Sequence, residues 1–230
     1  MENFCTIVSK FETDDGDNIL YPFGPPIFQT YSDPNFTKEL ISEGRKLTMK
    51  DNDWNHKLAG NLKYGRSFHY THQFLKKAEP YLKMKVEKFF NAILDQHNNH
   101  SKIINRIMTV RKSKLERERK GELRLDTFWI NFSQKHDYNP PHTHSGILSF
   151  VIFCKVPKEI FSVQADSNTQ RAGMLHFEYG EKISELMGNE YPVEPFENLM
   201  FIFPAELKHF VSPYWVDAER ISVSGNFVVI

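Results

Sequence analysis

The sequence predicts a mainly β protein with flanking helices, closed as a barrel or sandwich, and three observations predict it. From Leu123 onward, short runs of β-branched and aromatic residues are separated by turn residues. The helices that a parallel βαβ arrangement would place between those runs are missing from the pattern. The length, 230 residues, suits a single domain that buries a sizeable core without disulfides or oligomerisation. The expected division is a mostly helical support region over 1–120 and a β core over 121–230 that carries the chemistry.

Taken in order, the first third reads as mixed and largely helical. Asp33-Pro34 is a helix start, because aspartate caps the first turn and proline is tolerated there. Phe36, Leu40, Ile41, Gly44 and Leu47 then recur near helical spacing. A second helix is expected to begin near Pro80 and to carry Leu82, Val86, Phe89, Phe90 and Ile93 on one face. An aromatic stripe at that spacing belongs to a core more often than to a cofactor site. Arg111 to Arg124 mixes charges of both signs and reads as a solvated helix with a connector at Gly121. The strands follow as Leu123–Ser133, Gly146–Lys155, Gly173–Tyr179, Leu199–Phe203 and Arg220–Ile230, with Asn139-Pro140-Pro141, Pro157, Gly180, Pro192, Pro195, Pro204 and Pro213 as breakers.

Bulk charge and cysteine content narrow the function classes. Lys plus Arg equal Asp plus Glu at 29 each, so bulk charge indicates neither a nucleic-acid nor a membrane-surface partner. The two cysteines, Cys5 and Cys154, form neither a disulfide framework nor a thiolate metal site, and Cys154 reads as a buried, inert thiol. The N-terminal residues lack the basic and apolar segments of a signal peptide, and no apolar run reaches the length of a membrane span. A soluble, cytoplasmic protein is expected.

The densest chemical signal is Tyr138-Asn139-Pro140-Pro141-His142-Thr143-His144-Ser145-Gly146. Histidines two apart in an extended segment share a face, with α-carbons roughly 6.5 Å apart, so both imidazoles can reach a single ion. By itself His-x-His is a weak motif. A second part lies in Phe203-Pro204-Ala205-Glu206-Leu207-Lys208-His209, where a β run ends at proline and a histidine follows. Read alone, His209 is a partly buried histidine bonded to a carbonyl. Farther on, Arg220-Ile221-Ser222 opens an apolar strand. Read alone, Arg220 is a surface or edge residue. At a barrel mouth it would instead offer a fork of donors to a carboxylate, with the Ser222 hydroxyl beside it. His176 is either a solvent-side strand residue or a residue pointing into the barrel, and Tyr214 and Trp215 either stack on a substrate or anchor a loop.

The order His-x-His, histidine, Arg-x-Ser resembles the iron(II)- and 2-oxoglutarate-dependent oxygenases, in particular a branch common in bacteria and tailed phages. The strings that carry it are Trp129-Ile130-Asn131-Phe132, YNPPHTHSGILSFVIF (138–153), FIFPAELKHFVSPY (201–214) and ERISVSGNF (219–227), all in the C-terminal half. Leu58-Ala59-Gly60-Asn61-Leu62 is only loosely similar. The resemblance implies a double-stranded β-helix, a jelly-roll, cupin-like barrel. It implies His142, His144 and His209 as ligands of Fe(II), Arg220 and Ser222 on the far carboxylate of 2-oxoglutarate, and Asn131 as a weaker member of the cofactor pocket. O2 would be consumed, with ascorbate as a stimulant, and an unidentified substrate hydroxylated with release of succinate and carbon dioxide.

His144 departs from the family pattern, which has a carboxylate in that slot. Three neutral imidazoles leave the ion its full charge for a dianionic cosubstrate to neutralise. The alternative is that Asp137 or another carboxylate completes the shell. Two further readings remain open on sequence alone: a cupin-type three-histidine dioxygenase that does not use 2-oxoglutarate, and a non-catalytic jelly-roll binding module.

Overall fold

The computed structural model describes residues 9–13, 15–22, 24–60, 62, 64–99, 122–162, 171–181 and 188–230. Two antiparallel sheets face one another as a double-stranded β-helix, with helices on one outer face. The larger sheet has eight strands in the order β1-β2-β3-β10-β7-β12-β5-β4. These are β1 (Ser9–Glu12), β2 (Asn18–Tyr21), β3 (Ile27–Tyr31), β4 (Arg66–His69), β5 (Leu123–Ser133), β7 (Leu148–Lys155), β10 (Leu199–Pro204) and β12 (Arg220–Val229). The smaller sheet has four in the order β6-β11-β8-β9: β6 (Asn139–His142), β8 (Leu175–Glu178), β9 (Glu190–Val193) and β11 (Lys208–Val211).

Side-chain alternation gives the large sheet two unlike faces. Phe128, Ile130, Phe132, Phe150, Ile152, Ile221 and Val223 point outward against helices α1 (Pro34–Gly44) and α3 (His72–Asn99), between which the chain forms the one-turn α2 (Met49–Asn52). The neighbouring positions point into the space between the sheets. There, Phe153, Leu199, Phe201 and Phe203 pack on Leu175 and Phe177 of the small sheet. On β12 the inward positions are instead polar: Arg220, Ser222, Ser224 and Asn226, paired across β5 with Ser133, Asn131, Trp129 and Thr127. An apolar floor at one end and a polar stripe along one wall are what make this interior a site rather than a filled core.

The first helix starts as its sequence dictates. Asp33 caps α1, its carboxylate accepting from the Asn35 and Phe36 amides, with Pro34 in the first turn. The second helix differs from expectation. It begins at His72, where Thr71 Oγ1 accepts from the Phe74 amide, and Pro80 lies inside it. The apolar stripe already runs through Phe74 and Ala78 to Leu82, Val86, Phe89 and Ile93, and burial of that continuous face outweighs the hydrogen bond lost at proline. The N-terminal region also contributes strands that the sequence reading did not anticipate. β3 pairs with β10 and β4 with β5, so the first seventy residues extend the sheet of the C-terminal half. Cys154 is buried and free, its thiol pKa pushed up by burial. Cys5 and the charged stretch from Arg111 to Gly121 lie outside the described residues. No described helix is long and apolar enough to cross a membrane.

Candidate metal centre

β11 positions the site. His209 stands directly opposite His142 of β6, and cross-strand partners on one face bring their rings together, with centroids 4.4 Å apart. His144 lies just beyond the end of β6, where its backbone amide donates to Ala205 O at 2.8 Å. That anchor turns the third ring to within 4.8 Å of His142 and 5.0 Å of His209, centroid to centroid. One potential ligand atom from each of the three residues falls within 4.8 Å of the others. Among the described residues this is the one histidine, cysteine or carboxylate cluster able to hold an ion.

Backbone carbonyls fix two of the tautomers. His142 Nδ1 sits 2.7 Å from Pro140 O, and His209 Nδ1 sits 2.9 Å from Leu207 O. A ring nitrogen facing a carbonyl must carry the proton, which leaves each Nε2 a lone pair directed into the cluster. Burial holds all three rings neutral at pH 7. It lowers the His142 pKa, takes His144 to about 4 with help from neighbouring His142, and takes His209, 6% exposed, to about 3. Phe203 stacks edge-on at 4.8 Å from His209, and Trp129 edge-on at 5.6 Å from His144, so apolar walls close the cluster on two sides.

These histidines open into a cavity of about 370 Å³ that continues to Arg220, Ser222 and Asn131. Arg220 is 5% exposed, yet it makes no ion pair among the described residues. Its Nη1 donates to Gly173 O at 2.8 Å, and its Nε has no partner. Gly173 presents that carbonyl at φ +68, and a Cβ there would meet Ile160 Cγ2 at 2.5 Å. Burial pulls the guanidinium's pKa down, an effect countered first by Tyr214 and then by Asp137. A buried cation lacking an ion-pair partner is costly, and its place in the cavity wall is electrostatically suited to an anion. Asn131 is held by Ser67 Oγ, which donates to its Oδ1 at 2.9 Å, and its Nδ2 lies 3.5 Å from Ser222 Oγ.

Asp137 does not join the histidines. Its carboxylate accepts from the backbone amides of Tyr64, Gly65 and Gln134, at 3.2, 2.9 and 2.8 Å. That ties the loop before β4 to the loop after β5. His176 neither faces solvent nor lines the cavity. It is 1% exposed, with Nδ1 at 2.5 Å from Glu190 Oε1, Nε2 at 2.8 Å from Ser212 Oγ, and its ring stacked on Phe210. Tyr214 is a loop anchor, donating to Ser133 O and Ala218 O from a buried position. Trp215 is exposed and outside the cavity lining.

Several cavity residues were not anticipated. Trp54, Lys57, Leu58, Gly60 and Tyr138 form the outer rim, with Trp54 stacked on Trp129 at 6.0 Å. Most of them come from a short-turn segment with no motif of its own. Asn226 lies deep on the polar stripe, its carboxamide accepting from Ser149 Oγ and donating to Thr127 Oγ1. Asn139 belongs to the string around His142 but carried no recognisable role.

The arrangement defines a double-stranded β-helix with three converging imidazoles at its mouth and a buried guanidinium farther in. Comparison with known proteins gives that arrangement a class. Residues 127–226 match the family model described as "Putative 2OG-Fe(II) oxygenase". Over that stretch, which holds the three histidines and Arg220, the chain is similar to the iron(II)- and 2-oxoglutarate-dependent oxygenases, a class of oxidoreductases. The fold is similar to that of the viral collagen prolyl hydroxylase of Paramecium bursaria Chlorella virus-1, solved with 2OG. The TM-score is 0.50 at 10% identity, over 89% of this chain and 96% of that one. A Pseudomonas putida prolyl-4-hydroxylase aligns over 89% of this chain and 92% of its own, with TM-score 0.49 and 14% identity. HygX of Streptomyces hygroscopicus, solved with nickel, 2-oxoglutarate and hygromycin B, aligns over 88% and 82%, with TM-score 0.49 and 7% identity. No curated protein matches by sequence.

Proposed function

We propose that this chain is a dioxygenase that hydroxylates a bound substrate at an iron(II) centre held by His142, His144 and His209, with 2-oxoglutarate anchored by Arg220. The observation that carries the reading is one cavity containing both a set of neutral, lone-pair-directed imidazoles and a buried guanidinium without a counter-ion. The residues fit the group. Imidazole nitrogens suit ferrous iron, and three of them leave positions open for small oxygen ligands. With the ion and Arg220 both positive and no carboxylate in the cluster, the cavity matches a dianion.

When bound, iron and 2-oxoglutarate would activate dioxygen, the oxidant, so that one of its oxygen atoms enters a substrate C–H bond and the other enters the keto acid, which leaves as succinate and carbon dioxide. The chain's own residues do the rest. Arg220 presents donors in a fixed plane to the distal carboxylate, and Ser222 adds a hydroxyl from the same face of β12. Asn131, restrained by Ser67, borders that pocket. Phe153, Phe203 and Leu175 keep water from the space beside the histidines. The rim from Trp54 to Gly60, with Tyr138, is where a substrate would be presented.

Succinate release from 2-oxoglutarate, measured with iron(II) and ascorbate, tests the reading. The wild type should show uncoupled turnover and H209A none. If 2-oxoglutarate fails to bind the iron-loaded wild type, the proposal is wrong. In that event, the cupin-type reading without 2-oxoglutarate takes its place.

A further inference from the structure

We infer that Asn139 is a fourth, displaceable protein ligand of the metal ion, binding through its side-chain oxygen until the cosubstrate takes its place. The inference rests on the three-histidine reading above and adds a residue to it. It begins with a register shift. On β11, His209 and Val211 are two residues apart, but their partners on β6, His142 and Asn139, are three apart. One extra residue is therefore accommodated at Pro140-Pro141. In a regular strand, residue 140 would share the face of His142. The bulge turns Asn139 there instead.

The side chain uses that position. Asn139 Nδ2 lies 3.5 Å from His142 Nε2, the nitrogen whose lone pair points into the cluster. Neighbouring ligand atoms around an ion with bonds near 2.1 Å stand roughly 3.0–3.4 Å apart. The carboxamide is thus at ligand-to-ligand range from an imidazole nitrogen, without any backbone movement. Its other end is unsatisfied: Oδ1 is buried and has no hydrogen-bond partner. A buried carbonyl oxygen without a partner is unusual; it faces Gly60 here, and a cation among the histidines would be its partner once the amide is turned.

Electrostatics gives the sense of the change. Facing a bare lone pair, the amide presents its N–H. Facing a cation, the same dipole is favourable only when reversed, which a rotation about the last side-chain bond achieves. Residue 60, behind the amide, has no side chain to crowd it. Gly60 packs so closely that a Cβ would fall 2.2 Å from Tyr138 O and 3.0 Å from Asn139 Oδ1. The three positions left open by the imidazoles are claimed by cosubstrates during turnover, so a neutral carboxamide, weaker than a carboxylate, is a ligand that can be displaced.

Cobalt(II) substitution tests this without reference to activity. Wild type, N139A, N139L and N139D are titrated with cobalt(II), and affinity and visible absorption are recorded before and after addition of 2-oxoglutarate. N139L keeps the branched outline without a ligand atom, so it carries the test if N139A fails to fold. Loss of the carboxamide should weaken cobalt binding by about ten-fold and change the absorption band. N139D should bind at least as tightly as wild type. Saturating 2-oxoglutarate should make the spectra of wild type and N139L converge. Wild-type affinity and an unchanged spectrum in a folded N139A or N139L would overturn the inference and leave the three-histidine centre standing. Absence of cobalt binding to the wild type, with no further loss in H209A, would remove that centre and this inference with it.

Discussion

Replacing Arg220 by methionine should separate binding from stability, because the two effects have opposite signs. The guanidinium is buried at 5% exposure, donates to Gly173 O, and leaves its Nε without a partner. In the protein without cosubstrate, this charge has lost its hydration and gained one hydrogen bond, with the Tyr214 ring 5.7 Å away and Asp137 as weaker support. Removing it forfeits about 1–3 kcal/mol from that bond to a charged donor. It also relieves a burial cost of several kcal/mol that no direct ion pair offsets. The thermal midpoint of R220M should therefore stay level or rise. Affinity for 2-oxoglutarate should fall, since truncating one partner of a buried charge pair costs about 2–5 kcal/mol. That corresponds to a roughly thirty- to several-thousand-fold weaker Kd. Calorimetric titration of metal-loaded wild type and R220M, with melting curves of both, gives the two numbers. Near-equal affinities would refute the assignment of Arg220 as the carboxylate anchor. A large fall in the melting temperature would show that the guanidinium is already compensated, contrary to its missing partners.

Two predictions concern the frame around the site. D137A should lose about 3–5 kcal/mol in denaturant unfolding, because three backbone amides at Tyr64, Gly65 and Gln134 lose their common acceptor. A loss below about 1 kcal/mol would mean that water replaces the carboxylate there. Glu190 has its pKa lowered from 4.5 to about 2, chiefly by the hydrogen bond from His176 and then by Arg171. A depressed carboxylate stabilises the fold above its unfolded value and loses that contribution as pH falls through the folded one. The window therefore runs from about pH 4.5 down to about pH 2, with an upper limit of about 3 kcal/mol. Stability measured from pH 6 to pH 2 should decline less steeply for E190Q than for wild type, and parallel curves would remove Glu190 from the acid response.

The candidate site draws on three short strings, around His142, His209 and Arg220, and that is why so much of it was legible. Imidazoles two residues apart in an extended segment share a face whatever the surrounding fold, and a proline-terminated strand before His209 supplies the third ring's position along the chain. Strands such as Leu123–Ser133 and Arg220–Val229 announced themselves through alternation, since their outward face meets α3 and their inward face lines a cavity. Where local signals and burial disagreed, local signals misled. Pro80 reads as a helix start in isolation, but the apolar face around it is continuous. β3 and β4 are short and carry little pattern, so only their pairing with β10 and β5 makes them strands.

The sequence by itself determined the β character of the second half, the histidine pair, and a candidate anion anchor on the last strand. Only the tertiary structure decided which distant residues meet. It set His209 opposite His142 through strand register, assigned Asp137 to three backbone amides rather than to the cluster, and buried His176 against Glu190. It also decided that Asn139, not residue 140, shares the face of His142. Alternation along a strand is a local property of the chain. Register, bulges and the partner across the ladder depend on residues tens of positions away, and no short string encodes them.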